Sequence, residues 1–259
     1  MNTREQLLFD RTGHVHDIRW RVWRDSVKLK QLEQAYGSVL YTPLDIPRFC
    51  LRDPQHFKDW WNRVSKPISK LRDDIAGPPG EARTRDLFNA VTTDEGFNTY
   101  WEMNVRTDMY AEFPELYEHL RCFPTNGVVQ FSIWSSNRAI RPHRDARPTE
   151  DLPAAFRVLL LDENDEPTLR LQESPTDSRY ESQNEFAIPR IEDSNSFAWN
   201  NVRVMHSSTH NPGKRKWLML IRSNAFDLDR YEELLSRSLT KYKDYVRRSS
   251  FPLTAFVDR

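Results

Sequence analysis

The spacing of apolar residues changes character near Gly127. Upstream it reads as mixed and mostly helical. In DPQHFKDWWNRVSKPISKLRDDIAG (53–77) apolar side chains fall at 57, 60, 61 and 64, along one face of a 3.6-residue repeat. Asp53 before Pro54 makes a good helix start, and Pro67 should break or kink the helix. DSVKLKQLEQAYG (25–37) offers Asp25 or Ser26 as a cap and Gly37 as a stop. PELYEHLRCF (114–123) reads as a short helix and GPPGEARTRD (77–86) as a loop.

Downstream the apolar runs are short and rich in β-branched and aromatic residues. VVQFSIW (128–134), FRVLLL (156–161), TLRLQ (168–172), EFAIP (185–189), SFAWNNVRVMHSS (196–208) and WLMLIR (217–222) read as strands, separated by Asn, Asp, Pro and Ser clusters. Strands spaced this way predict a β-sandwich or barrel. DLDRYEELLSRSLTKYKDYVRR (227–248) is helical, with charges on its outer face. The order predicted is a helical and mixed layer (1–126), a β core (127–225) and a closing helix and tail (226–259), treated as a single domain.

Composition narrows the functional classes. Lys plus Arg and Asp plus Glu each count 38 in 259 residues, so the net charge is zero. That balance gives no footprint for nucleic acid or an anionic membrane. No apolar run approaches the roughly 18 residues of a membrane span, and the start MNTREQLLFDRTG lacks the apolar stretch of a signal peptide. Two cysteines, Cys50 and Cys122, make neither a disulfide framework nor a CxxC site, so a reducing cytoplasm is expected.

The candidate chemistry sits in RPHRDARP (141–148). In a strand, His143 and Asp145 point the same way and Arg144 the opposite way. His206 ends the run FAWNNVRVMH, 61 positions after Asp145. Two imidazoles and one carboxylate, two of them close in sequence and one distant, form the facial triad of non-haem Fe(II) oxygenases. Three protein ligands on one face leave positions open for a bidentate 2-oxo acid and for O2. A 2-oxo acid also needs a cation for its distal carboxylate, and arginine has the matching fork. Arg215 lies nine positions after His206, across the turn HNPG. Lys216 competes with it, since adjacent residues in a strand face opposite ways. The apolar pattern that follows cannot choose between them; carboxylate geometry favours Arg215. A surface His143–Asp145 pair with a core His206, or a zinc hydrolase on the same ligands, stay open as alternatives, though zinc leaves Arg215 without a role.

The stretches AIRPHRDARP, FRVLLLDENDEP and MHSSTHNPGKRKWLMLIR resemble the Fe(II)/2-oxoglutarate-dependent oxygenases, and more narrowly the aspartyl/asparaginyl β-hydroxylase-like group that includes bacterial proline hydroxylases. The resemblance spans roughly 127–225 and implies a double-stranded β-helix, or jelly roll. It implies His143, Asp145 and His206 as the iron ligands and Arg215 as the anchor of the 2-oxoglutarate C5 carboxylate. It also implies that Arg157 points into the pocket; read from its apolar neighbours alone, Arg157 is equally an ion-paired structural residue. Leu159 stands where some members carry a histidine, and the intact Asp145 argues against a halogenase.

The remaining candidates have plainer readings. His56 and His119 are read as solvated surface residues, His14 and His16 as remote from the β region, and His210 as a turn residue. Arg141, Arg144 and Arg147 read as a solvated face. Trp134 and Trp199 read as core, and WEMN (101–104) as residues at a pocket mouth. The sequence thus predicts a cytoplasmic dioxygenase using Fe(II), 2-oxoglutarate and O2, with a small-molecule or peptide substrate and no nucleic-acid or membrane partner. The alternative is a non-catalytic jelly-roll binding protein with a structural HxD.

Overall fold

The computed structural model describes residues 27–64, 66–67, 97–103, 112–136, 140–144, 151–176, 179, 184–209 and 214–256. Two antiparallel sheets organise them. Strands β1 (Val39–Pro43), β2 (Lys66–Pro67), β3 (Phe97–Met103), β4 (Thr125–Ser136), β6 (Ala155–Asp162), β9 (Ser196–Trp199), β11 (Lys216–Phe226) and β12 (Arg247–Arg248) form the larger, in the order β12-β1-β9-β6-β11-β4-β3-β2. Strands β5 (Ile140–His143), β7 (Leu169–Glu173), β8 (Glu185–Ala187) and β10 (Val204–Ser208) form the smaller, in the order β5-β10-β7-β8.

The two sheets face each other across one apolar layer. Tyr41, Phe197, Trp199, Leu218 and Leu220 come from the larger sheet, and Leu169, Leu171 and Val204 from the smaller. This arrangement is compatible with a jelly-roll-like core. The outer face of the larger sheet (Phe156, Val158, Leu160, Trp217, Met219, Ile221) is covered by four helices: α1 (Val27–Tyr36), α2 (Pro54–Val64), α3 (Pro114–Leu120) and α4 (Leu228–Lys241). Alternation along β6 and β11 therefore sends even and odd residues into two different apolar layers, which is why both sets of positions are apolar.

Helix ends follow the sequence signals. Asp53 caps α2, its Oδ1 accepting from the His56 amide at 2.9 Å. Asp227 does the same for α4 through the Arg230 amide. Helix α1 stops at Gly37, where an added Cβ would lie 2.5 Å from the Glu33 carbonyl and 2.6 Å from Asp151 Oδ2. Helix α2 ends at Val64, ahead of Pro67, which sits in β2. Helix α4 ends at Lys241, and Arg247–Arg248 pair instead with β1, so the closing helix is shorter than 227–248.

The mixed character read before Gly127 resolves into β1, β2 and β3, which extend the larger sheet on both sides. All five residues of β1 are buried, so VLYTP shows no alternation to read. The run 196–208 is two strands in different sheets. Its break is an Asx-type turn: Asn200 Oδ1 accepts from the Val202 amide at 2.9 Å, and the Asn200 carbonyl accepts from Val204 at 3.0 Å. Asn200 also donates to the Gly37 carbonyl and to Asp151 Oδ1. Asp151 in turn holds Arg203 through two bonds of 2.9 and 2.7 Å. This buried pair ties the end of α1 to the crossover between the sheets.

No helix among the described residues is long and apolar enough to cross a membrane. Cys50 and Cys122 are free thiols.

Candidate active site

The crossover at 200–203 delivers His206 to the inner sheet. In β10, Val204, His206 and Ser208 share a face, and the residues opposite them on β7 are Glu173, Leu171 and Leu169. On the other side His206 is directly opposite His143 of β5. The two imidazole rings lie 4.3 Å apart between centroids, tilted by 47°. Both residues are half-buried. The strand pairing thus brings together two of the three metal-ligand candidates. Asp145 lies outside the described residues, as do His14, His16, Arg147 and His210.

Behind His206 stands an aromatic and cationic wall. The Trp199 ring is 5.0 Å from that of His206, and the Arg157 guanidinium stacks over Trp199 at 4.4 Å. Arg157 is 2% exposed and also donates from Nη1 to the Phe156 carbonyl. It neighbours Leu220 and Phe197 in the register, so it occupies the inner face of the larger sheet. Trp199 is core, as its reading had it.

A buried cation bonded to the His206 strand is Lys216. It opens β11 and is 5% exposed. Its Nζ donates to Thr168 Oγ1 at 3.0 Å and to Ser208 Oγ. Ser208 is two residues beyond His206 on the same face. Burial pushes the Lys216 ammonium down to about 8, partly opposed by the Asp162 carboxylate. Among the described residues no carboxylate lies within ion-pair distance of it. Arg215 precedes the strand and is half-buried. Its amide donates to Glu163 Oε2 at 2.9 Å, its carbonyl accepts from the Glu163 amide, and its charge helps lower the Glu163 carboxyl. Lys216 thus holds an inward, buried position beside the His206 strand. The apolar alternation on β11 could not give this, because both of its faces are covered.

Other residues depart from their plain readings. His119 is not a surface histidine. It is 6% exposed, lies against Phe49 and Phe123, and its Nε2 is 3.0 Å from Ser196 Oγ. Burial pushes its pKa down to about 4. The spacing 116, 119, 120, 123 puts it on the apolar stripe of α3, a signal the sequence did carry. His56 is on the surface, 2.7 Å from Glu112. Arg144, expected on a solvated face, donates to the Ser174 carbonyl at 2.6 Å. Trp101–Met103 of the WEMN stretch lie in β3.

No protein-family model and no curated protein matches the chain. Among solved structures, it is similar to a Pseudomonas putida prolyl-4-hydroxylase, with 13% identity and a TM-score of 0.34 over 75% of this chain and 98% of that one. It is also similar to a full-length Neurospora crassa protein solved in complex with alpha-KG and thymine, with 9% identity and a TM-score of 0.36 over 80% of this chain and 83% of that one.

Proposed function

We propose that the chain is a non-haem iron, 2-oxoglutarate-dependent dioxygenase that hydroxylates a C–H bond of an amino acid, a peptide or an amino-acid-derived metabolite. The observation that carries the reading is one juxtaposition: His143 and His206 opposed across β5 and β10, with the buried Lys216 ammonium held at Ser208 on the His206 strand.

The donor set fits iron. Two imidazoles with ring centroids 4.3 Å apart can each turn one nitrogen to a shared ion, and Asp145, two residues beyond His143 in sequence, would supply the carboxylate of a facial triad. His143, Asp145 and His206 would hold the metal. Bound Fe(II) supplies the coupling of 2-oxoglutarate decarboxylation, to succinate and CO2, with oxidation of the substrate by O2.

This chain's own residues set the rest. Lys216 would receive the C5 carboxylate of 2-oxoglutarate in place of Arg215. A buried ammonium with hydroxyl acceptors and no carboxylate partner among the described residues is a costly arrangement that an incoming anion relieves. Thr168 and Ser208 fix its direction. Trp199, backed by Arg157, closes the side of the site behind His206 and excludes water there. In this reading the jelly roll of residues 127–225 is the double-stranded β-helix of the aspartyl/asparaginyl β-hydroxylase-like group.

The test is a panel of free amino acids and short peptides, read for succinate released from 2-oxoglutarate in the presence of Fe(II). The reading requires at least one substrate that raises release above the substrate-free rate, and loss of that release in His206→Ala. A panel with no release at all, from protein that binds neither Fe(II) nor 2-oxoglutarate, would overturn it.

A further inference from the structure

At the end of the sheets where β6 finishes and β11 begins lies a cavity of about 430 Å3. That volume is within the range of small-molecule sites. Neither His143, His206 nor Lys216 lines it, so it is distinct from the candidate active site. Its walls are apolar, with Phe49, Leu159, Leu169, Ile188, Ile191 and Phe197 among them. Asn195, the amide in the wall, spends its side chain on the Phe49 and Leu159 backbone, while Tyr41, Thr168, Ser194 and Ser196 add hydroxyls to the lining.

Charge is confined to the rim: Arg48, Arg190 and Asp162. Arg190 is neutralised by Asp162 at 3.0 Å and donates to the Asp165 and Asn164 carbonyls. Arg48 is different. Its Nη1 donates to the Ile191 and Glu192 carbonyls at 2.9 and 3.1 Å, which pins it to the loop that borders the cavity. Among the described residues it has no carboxylate partner. The rim therefore carries one uncompensated positive charge on a fixed fork, above an apolar hole.

We infer that this cavity is a second small-molecule site, taking the aliphatic or aromatic body of a monocarboxylic acid whose carboxylate pairs with Arg48. An apolar wall supplies non-directional burial, and a guanidinium whose Nε and Nη2 remain available supplies a matched, charge-assisted pair. A neutral molecule of the same shape would leave the rim charge unused, and a dianion would bring one charge too many. The site also touches the active-site machinery at one point. Thr168 is in its wall and accepts from Lys216, so an occupant lies one hydroxyl away from the proposed co-substrate anchor.

The test uses octanoate and 1-octanol as probes, titrated calorimetrically into the full chain, with Arg48→Gln, Ile191→Trp and Lys216→Met variants. The expected result is saturable octanoate binding, weakened about tenfold by Arg48→Gln and abolished by the bulky Ile191→Trp. It should be retained in Lys216→Met and not competed by 2-oxoglutarate. Octanol should bind more weakly than octanoate and ignore Arg48→Gln. Arg48 is exposed, so its replacement tests the pairing without disturbing the core. No octanoate binding overturns the inference. So does binding that is indifferent to Arg48 and lost in Lys216→Met or with 2-oxoglutarate, because the acid then occupies the Lys216 pocket.

Discussion

Lys216 of the larger sheet donates a hydrogen bond to Ser208 of the smaller, two residues along β10 from His206. This one contact ties the cation proposed for the co-substrate to the strand proposed for the metal.

The first prediction concerns that choice. Removing one partner of a buried charge pair costs on the order of 2–5 kcal/mol, so Lys216→Ala should raise the KM for 2-oxoglutarate roughly 30-fold or more. Under the proposed arrangement Arg215→Ala should change it less than about threefold, since Arg215 precedes the strand and its charge acts on the Glu163 carboxylate. Succinate release against 2-oxoglutarate concentration measures both. A severe Arg215 variant beside a mild Lys216 variant would return the anchor to Arg215.

The second follows from the lowered pKa of Lys216, about 8. Only the protonated amine attracts a carboxylate. Affinity for 2-oxoglutarate should therefore hold below pH 8 and fall as pH rises above it, by up to about tenfold per unit. Lys216→Arg, which stays charged, should abolish that fall even if binding is weaker overall. The KM measured at pH 7, 8 and 9 for the two proteins is the check.

A third concerns folding. His119 is held neutral, with its pKa near 4 against 6.5 in the unfolded chain. Between those values the unfolded chain binds a proton that the folded chain refuses. Stability should thus fall as pH drops from 6.5 towards 4, by at most about 1.4 kcal/mol per unit from this residue. Urea unfolding at pH 7, 5.5 and 4.5 should show a shallower loss in His119→Gln than in the unaltered protein. Equal slopes would remove His119 as the cause.

A fourth tests the staple at the crossover. Asp151 and Arg203 are both nearly fully buried and doubly hydrogen-bonded. Asp151→Ala leaves a guanidinium buried without its partner, and a broken buried pair costs about 3–5 kcal/mol. The denaturation midpoint should drop accordingly. Asp151→Asn should recover part of the loss by keeping hydrogen bonds to Asn200 and Arg203.

What the sequence showed depended on whether a segment has one covered face or two. The stripe at 57, 60 and 61 has one, and α2 begins at the Asp53 cap and ends before Pro67 as read. The strands β6, β7 and β11 were legible as apolar runs, but which face of β11 looks inward was not, because helices cover one side and the smaller sheet the other. The fully buried β1 was missed for the same reason. With the pattern silent, the preference for Arg215 rested on carboxylate geometry and on the resemblance. The 200–203 turn was missed because its Asn-Asn pair was absorbed into one long apolar run, although Asx turns are a known breaker. The pairing of His143 with His206 rests on strand register between segments more than 60 residues apart, which local pattern cannot encode. Their shared chemistry could be guessed from residue type; their opposition could not.

The central claim is that His143, Asp145 and His206 hold one iron beside a bound 2-oxo acid. The most direct measurement is the visible spectrum of the protein under strict exclusion of O2, with Fe(II) and then 2-oxoglutarate added. A weak charge-transfer band should appear only when both are present, and should be missing in His206→Ala and Asp145→Ala. No band in the unaltered protein, or an undiminished band in those variants, would contradict the metal site.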